Sequence, residues 1–125
     1  MRRICFDLDG VICELKRPEE SYFDVLPKPG AVEYLNKLKE NGDYIIIHTA
    51  RHMKTCEGNV GKVIQRVGKQ TIDWLEKYNI PYDELYFGKP WAEIYIDDNG
   101  FRFTDWTNMP LNSEDLPKWA EKSVK

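Results

Sequence analysis

Two aspartates near the amino terminus are the residues of this chain whose type and spacing point most directly to chemistry. Asp7 and Asp9 lie where an apolar stretch, Ile4 to Leu8, runs into Gly10, a pattern typical of a buried strand that ends in a turn. Two carboxylates held close together at a strand end repel each other and lose hydration. Such a pair is therefore expected where a cation or a proton-transfer role favours it. One can act as a nucleophile and the other as an acid/base, with a hard metal ion between them. The alternative interpretation is a solvated turn, because Asp and Gly are common turn residues.

Strand-type and helix-type patterns alternate along the chain. The run Ile45-Ile46-Ile47 favours a strand covered on both faces, as in a parallel sheet. The alternation predicts one α/β domain over residues 1–125, a three-layer sandwich around a Rossmann-like, mostly parallel sheet. We expect strands at residues 2–8, 44–48, 84–87 and 93–96, and helices at residues 30–41, 61–78 and 117–120.

A polar cluster follows each predicted strand. In parallel α/β folds, ligands bind beyond the carboxyl ends of the strands. The fold itself would therefore bring these clusters together, which is a stronger signal than any one motif. The clusters are Asp7 with Asp9, Thr49 with Arg51, Lys89, and Asp97 with Asp98.

The bulk properties exclude several classes of function. A net charge of −3 and a pI near 5.4 argue against a nucleic-acid partner, whose binding surface would be basic. No apolar segment is long enough for a signal peptide or a membrane span, so we expect no membrane association. The three cysteines, Cys5, Cys13 and Cys56, are widely spaced and odd in number, which is typical of reduced thiols with packing roles. We expect a cytoplasmic protein.

Four motifs in this order resemble those of the haloacid dehalogenase superfamily, the phosphoaspartate phosphatases and their relatives. The matching segments are Asp7-Leu8-Asp9-Gly10-Val11, Ile45-Ile46-Ile47-His48-Thr49, Gly88-Lys89-Pro90 and Tyr95-Ile96-Asp97-Asp98. Within the superfamily the chain resembles small stand-alone phosphatases of capsular polysaccharide biosynthesis. That narrower resemblance is carried by Thr49-Ala50-Arg51, by residues 57–62 and by Gly88-Lys89-Pro90-Trp91.

The resemblance implies a catalytic role for four residues. Asp7 would be the nucleophile that forms an aspartyl-phosphate, and Asp9 would protonate the leaving oxygen and then activate water. Thr49 would donate its hydroxyl group to a phosphoryl oxygen, and Lys89 would place a cation against the nucleophile. An aspartate two residues after the nucleophile favours phosphoester hydrolysis, because dehalogenation ejects halide and needs no acid there.

The resemblance also implies a Mg²⁺ cofactor. A phosphate monoester carries about two negative charges near neutral pH, and a carboxylate cannot attack it unless they are screened. Asp7 and the backbone carbonyl group of Asp9 would ligate the ion. Asp97 and Asp98 would complete the metal site, and which of them touches the ion is open.

The predicted substrate-binding residues are Thr49, Ala50, Arg51 and Lys89. The planar guanidinium of Arg51 suits a phosphate or carboxylate group of the substrate, and a pair with a nearby acid is an equally good interpretation.

The gaps between the motifs have no room for a separate cap domain. We therefore expect an open site, with residues 13–26 acting at most as a flap. Because phosphoaspartate chemistry benefits from the exclusion of water, a neighbouring subunit is a candidate cover, and we expect a homo-oligomer.

The favoured function is hydrolysis of a small phosphorylated metabolite, a sugar phosphate or nucleotide-linked intermediate of surface-polysaccharide assembly. The alternative is a nucleotide or polynucleotide-end phosphatase, which requires a basic track near Arg51, Lys54, Lys62 and Arg66. The third hypothesis is a non-catalytic binding module. It ranks last because no essential carboxylate is missing.

Overall fold

The sheet of this protein has three parallel strands. The computed structural model describes residues 1–118, so the helix predicted at 117–120 lies partly outside the described residues. The strands β1 (Arg3–Asp7), β2 (Tyr44–Thr49) and β3 (Glu84–Phe87) lie in the order β1-β2-β3. Asp7 pairs with His48, and Thr49 pairs with Phe87, so the carboxyl ends of all three strands meet at one edge.

Both helical connections cover the same face of the sheet. The helix α1 (Ala31–Glu40) joins β1 to β2, and α2 (Val60–Val63), a π-helical turn (Ile64–Gly68) and α3 (Lys69–Lys77) form one continuous helical segment before β3. Right-handed crossovers that advance in the same direction place their helices on one side. Leu35 of α1 and Trp74 of α3 accordingly share a buried cluster with Ile45 and Ile47.

The parallel α/β sheet without a cap is confirmed, whereas the third layer is not formed by the described residues. The side chains of Arg3, Cys5 and Tyr86 lie on the sheet face opposite the helices, and all three are exposed. The uncovered face follows from the strand order, because only a crossover in the opposite direction would place a helix there.

The chain after β3 returns to pack beside β1. Trp106 is buried against Phe6 and Tyr34, and its indole N–H donates to the Val11 carbonyl group at 2.8 Å. Gly30, which precedes α1, has φ 88°, and a Cβ atom there would lie 3.0 Å from the Cβ of Trp106. Only glycine satisfies both the backbone and the space at this position.

The strand predicted at residues 93–96 does not form. These residues have no regular structure, and Ile94 and Ile96 are 70% and 94% exposed. Their sequence has the β-branched and aromatic composition of a strand, but a strand also needs a neighbouring strand that its connection can reach. Among the described residues, no helix is long and apolar enough to cross a membrane.

Candidate active site

Asp7 is held beside Lys89 at the carboxyl end of β1. The Lys89 Nζ atom lies 3.4 Å from Asp7 Oδ2, and the Leu8 backbone N–H donates to Asp7 Oδ1 at 3.0 Å. Burial raises the pKa of Asp7, the positive charge of Lys89 lowers it, and the negative charge of Asp9 raises it further. The net direction is upward, which is what two neighbouring carboxylates in a partly buried site produce.

Asp9 is fixed by a different set of partners. The Thr49 hydroxyl group donates to Asp9 Oδ2 at 3.2 Å. The Arg51 Nε–H group lies 3.0 and 3.1 Å from the two Asp9 oxygens, and a terminal guanidinium nitrogen lies 3.0 Å from Oδ1. This fork restricts the carboxylate of Asp9 to one orientation. The two predicted acids are therefore held by different cations.

Arg51 itself is almost completely buried. Besides Asp9, its guanidinium donates to the Thr71 hydroxyl at 3.0 Å and to the Cys13 sulfur at 3.6 Å. It also lies 4.2 Å from the centre of the Tyr22 ring. Its donors are thus directed at protein groups, so the described geometry favours the pair with an acid over the predicted substrate contact.

Contacts of backbone N–H groups with Thr49 connect the Asp7–Lys89 pair to the Asp9–Arg51 pair. The Lys89 N–H donates to the Thr49 carbonyl group at 3.2 Å, and the Arg51 N–H donates to the Thr49 hydroxyl oxygen at 3.1 Å. Asp7, Asp9, Thr49 and Lys89, which lie far apart in the sequence, are therefore linked in one set of contacts at the carboxyl edge of the sheet.

The predicted acidic pair is not part of this set. Asp97 and Asp98 lie in an exposed segment, where Asp97 Oδ1 accepts the N–H groups of Asp98 and Asn99 at 2.7 and 3.2 Å. Within residues 1–118, no group of three or more His, Cys, Asp or Glu side chains could hold a metal ion. The described chain on its own does not gather the predicted ligand set.

The remaining donors fit Mg²⁺ in part. Mg²⁺ takes one or two protein carboxylates together with waters and substrate phosphate oxygens. The Asp7 side chain is a partly exposed oxygen donor, and its raised pKa marks a place where a further cation would be stabilising. Both oxygens of Asp9 are already engaged by Arg51 and Thr49, which leaves its backbone carbonyl group as the predicted ligand.

An open cleft of about 450 Å³ leads to Asp9. Lys16 and Lys54 line it, and their ammonium groups lie 5.4 Å from the Tyr22 ring centre and 4.4 Å from the Trp91 ring centre. The remaining lining residues are Leu15, Ala50, Arg51, His52 and Thr55. Two lysines and the exposed ring of Trp91 suit an anionic ligand that carries a ring.

Two contacts to the site were missed by the sequence reasoning. Cys13 donates its S–H to Asp9 Oδ1 at 3.4 Å, and burial raises the pKa of this thiol to about 12. Thr71 lies on the buried face of its helix, and the sequence analysis gave it no role in the site. A hydroxyl group on a buried stripe requires a hydrogen-bond partner, and that requirement was the available signal.

Two solved structures resemble the chain. One is a crystal structure of a Vibrio cholerae protein known by a target designation. It is 36% identical with a TM-score of 0.79, and the match covers 93% of this chain and 94% of that one. The other is the D,D-heptose 1.7-bisphosphate phosphatase of B. bronchiseptica, complexed with magnesium and phosphate. It is 13% identical with a TM-score of 0.50, and the match covers 74% of this chain and 52% of that one. No protein-family model and no curated protein matches.

The chain shares its fold with the D,D-heptose 1.7-bisphosphate phosphatase, and at 13% identity that likeness shows the fold alone. At 36% identity over nearly the whole length of both chains, this chain belongs to the same family as the Vibrio cholerae protein.

Proposed function

We propose that this protein is a Mg²⁺-dependent phosphatase that hydrolyses phosphate monoesters through an aspartyl-phosphate on Asp7. The observation that carries the proposal is the contact set at the carboxyl edge of the sheet. It places a lysine against Asp7 and holds Asp9 in a fixed orientation by Arg51 and Thr49. A nucleophile beside a cation, next to an oriented acid/base, is what phosphoryl transfer to a carboxylate requires.

In the first step, a carboxylate oxygen of Asp7 forms a bond to phosphorus as the bond from phosphorus to the leaving oxygen breaks. Asp9 gives its proton to that leaving oxygen. In the second step, Asp9 takes a proton from water, the water oxygen bonds to phosphorus, and the Asp7–phosphorus bond breaks. Arg51 pairs with the carboxylate form of Asp9, the form that acts as the base. Lys89 offsets negative charge on the phosphoryl group throughout.

Asp7 and the Asp9 carbonyl group, with Asp97 and Asp98, would hold Mg²⁺. When bound, the ion neutralises charge on the phosphate group and so permits attack by an anion.

The cleft supports a small metabolite as the substrate. Its volume of about 450 Å³ falls within the range of small-molecule sites. Lys16, Lys54 and Trp91 can contact an anionic group and a ring beyond the reacting phosphate, as in a sugar phosphate or nucleotide-linked intermediate of surface-polysaccharide assembly. The free cysteines support a cytoplasmic location.

The second candidate is a nucleotide or polynucleotide-end phosphatase. Exposed Trp91, with Lys54 over its ring, suits a stacked base. Arg51 is buried, however, and so does not extend a surface basic track towards Lys62 and Arg66.

A phosphate-release screen tests the proposal and separates the two candidates. Purified protein is offered sugar phosphates, nucleotides and 3′- or 5′-phosphorylated oligonucleotides with Mg²⁺. We expect turnover of small monoesters and a hydroxylamine-labile phosphoprotein. Asp7→Asn should abolish both without unfolding the chain, whereas Asp73→Asn, at an exposed ion pair with Lys69, should change neither. Full activity in Asp7→Asn would remove the covalent mechanism, and no turnover of any monoester would favour the non-catalytic module.

A further inference from the structure

Among residues 1–118, no strand pairs with the outer edge of β1. Tyr44 N–H donates to the Arg2 carbonyl group, and Leu8 N–H donates to the His48 carbonyl group. The backbone N–H and C=O groups of the even-numbered residues in this segment therefore point towards β2. By the alternation of a strand, the backbone groups of Arg3, Cys5 and Asp7 point the other way. No described strand lies on that side. An unpaired row of N–H and C=O groups is a template for pairing.

The same chain carries a segment whose pattern matches this edge. Set parallel and in register with Arg3–Asp7, residues 93–97 place Glu93 beside Arg3 and Asp97 beside Asp7. Ile94 and Ile96, now exposed, would lie on the core side next to Ile4 and Phe6, both of which pack in the main cluster. The apolar positions and the length agree, and Glu93 is opposite in charge to Arg3. Asp7 and Asp97 are both acidic and would meet where the proposed Mg²⁺ site needs carboxylates together.

The chain cannot make this pairing with itself. Lys89 is tied to the carboxyl edge by its contacts with Thr49 and Asp7. A strand parallel to β1 must start at the opposite edge, about 13 Å away for the four steps between Arg3 and Asp7 at ~3.3 Å each. Only Pro90, Trp91 and Ala92 lie between Lys89 and Glu93. Those four steps span at most roughly 14 Å when fully extended. A strand beyond β1 also lies three spacings of ~4.8 Å sideways from β3, about 14 Å, so the four steps cannot reach its start. Parallel connections usually need about a dozen residues.

We propose that residues 93–98 of one chain add as a fourth strand to β1 of a second copy, in a two-fold symmetric dimer. In this dimer the strands of the two sheets run in opposite directions. The carboxyl edge of the sheet in one copy therefore lies beside the amino edge of the sheet in the other copy. The chain then needs only to reverse its direction at Gly88-Lys89-Pro90 to reach β1 of the second copy. Reciprocal exchange of identical segments is a low-cost route to dimers.

The exchange would supply the acidic pair that the described chain lacks. Asp97 and Asp98 of the second copy would arrive beside Asp7, so each site would be built from two chains; this part rests on the proposed function. In the structure Trp106 packs against Phe6 and Val11 of its own chain. In the exchange, the tail would move with the strand and make the same contacts to the second copy.

Cross-linking tests the arrangement without reference to activity. The proposed register pairs exposed Cys5 with Tyr95, and neighbouring strands lie about 4.8 Å apart, within the Cα–Cα range of a disulfide. In Tyr95→Cys, oxidation of the two thiols by copper-phenanthroline should give a reducible covalent dimer on a denaturing gel. Tyr95→Cys in a Cys5→Ser background should not, and Ile94→Cys, one position out of phase, should cross-link poorly. A disulfide within one chain, or a dimer without the cross-link, would overturn the proposal.

A second variant covers the case in which Tyr95→Cys folds badly. We expect sedimentation to give twice the chain mass of 14.8 kDa, and Ile96→Asp to reduce it to one chain with unchanged circular dichroism. Leu111→Asp, at a residue 81% exposed outside the segment, should stay dimeric. If residues 93–96 simply face solvent, Ile96→Asp behaves like Leu111→Asp and the proposal fails.

Mixed dimers connect the exchange to the chemistry. Asp7→Asn and an Asp97→Asn/Asp98→Asn variant, each inactive alone, should regain about a quarter of wild-type activity after joint refolding. After equimolar mixing, half of the dimers contain one chain of each variant. In each mixed dimer, one of the two sites combines an intact Asp7 with an intact Asp97 and Asp98. A cross-linked dimer without phosphatase activity would leave the exchange standing and refute the proposed function, whereas an active single-chain species would do the reverse.

Discussion

Removal of the Thr71 hydroxyl group is the most specific test of the hydrogen bonds that fix Arg51 in the site. It accepts a hydrogen bond from buried Arg51 at 3.0 Å, and Thr71 itself is fully buried. Thr71→Val keeps the shape of the side chain and removes only this acceptor. Arg51 would retain its contacts with Asp9 and Cys13, so the substitution isolates one bond of the network.

The magnitude follows from two opposing effects. Loss of a hydrogen bond to a buried charged group costs about 1.5–3 kcal/mol. The added methyl group is buried in its place and returns roughly 0.8 kcal/mol. A net loss of about 1–2 kcal/mol in the free energy of unfolding remains. With an unfolding entropy of roughly 2.1 cal/mol/K per residue, this lowers the Tm by about 4–8 °C.

Urea and thermal unfolding of Thr71→Val measure this loss, with Thr71→Ser as the matched control. Thr71→Ser keeps the hydroxyl group and removes a methyl group, so its loss should come from packing alone. We expect phosphatase kcat to fall in Thr71→Val and to be largely retained in Thr71→Ser, because only the former removes one of the acceptors that hold Arg51 in place. If Thr71→Val is as stable as the wild type, the hydroxyl group does not serve Arg51 and the network argument is wrong.

Three further predictions concern packing, the thiols and the metal. Gly30→Ala should lower the free energy of unfolding by about 1–3 kcal/mol more than Gly42→Ala does in urea titrations, because both have positive φ but only Gly30 meets Trp106 at 3.0 Å; equal losses would contradict that contact. Cys13, whose pKa is raised to about 12, stays protonated at pH 8, so peptide mass mapping should find it alkylated only after unfolding; labelling in the native protein would contradict its burial. EDTA should abolish aryl phosphate hydrolysis and excess Mg²⁺ should restore it; a chelator-insensitive rate of the purified protein would refute the metal assignment.

The sequence was sufficient for the elements whose signal is local. The Ile45-Ile46-Ile47 run predicted β2, and the apolar spacing predicted the two long helical segments at nearly their observed bounds. The convergence of Asp7, Asp9, Thr49 and Lys89 was also predictable, because parallel strands bring their carboxyl ends to one edge. Side chains that follow those ends directly need no further information to meet.

What the sequence could not decide depends on contacts between distant residues. The direction of the Arg51 side chain was left open, and it is decided by Asp9, Thr71 and Cys13, none of which is near it in sequence. The parallel α/β fold was predicted correctly, and a layer on the second face of the sheet is not formed by the described residues. The strand order places both helices on one face, and pattern alone does not give strand order.

The short connection after β3 explains why Lys89 lies in the site while Asp97 and Asp98 lie outside it. Because Lys89 follows Phe87 by two residues, its backbone N–H reaches the Thr49 carbonyl group and its ammonium group reaches Asp7. Only Pro90, Trp91 and Ala92 separate Lys89 from residue 93, too few to return the chain for a fourth parallel strand beside its own β1. In the proposed exchange, a second copy supplies the acidic pair that this short connection keeps from its own site.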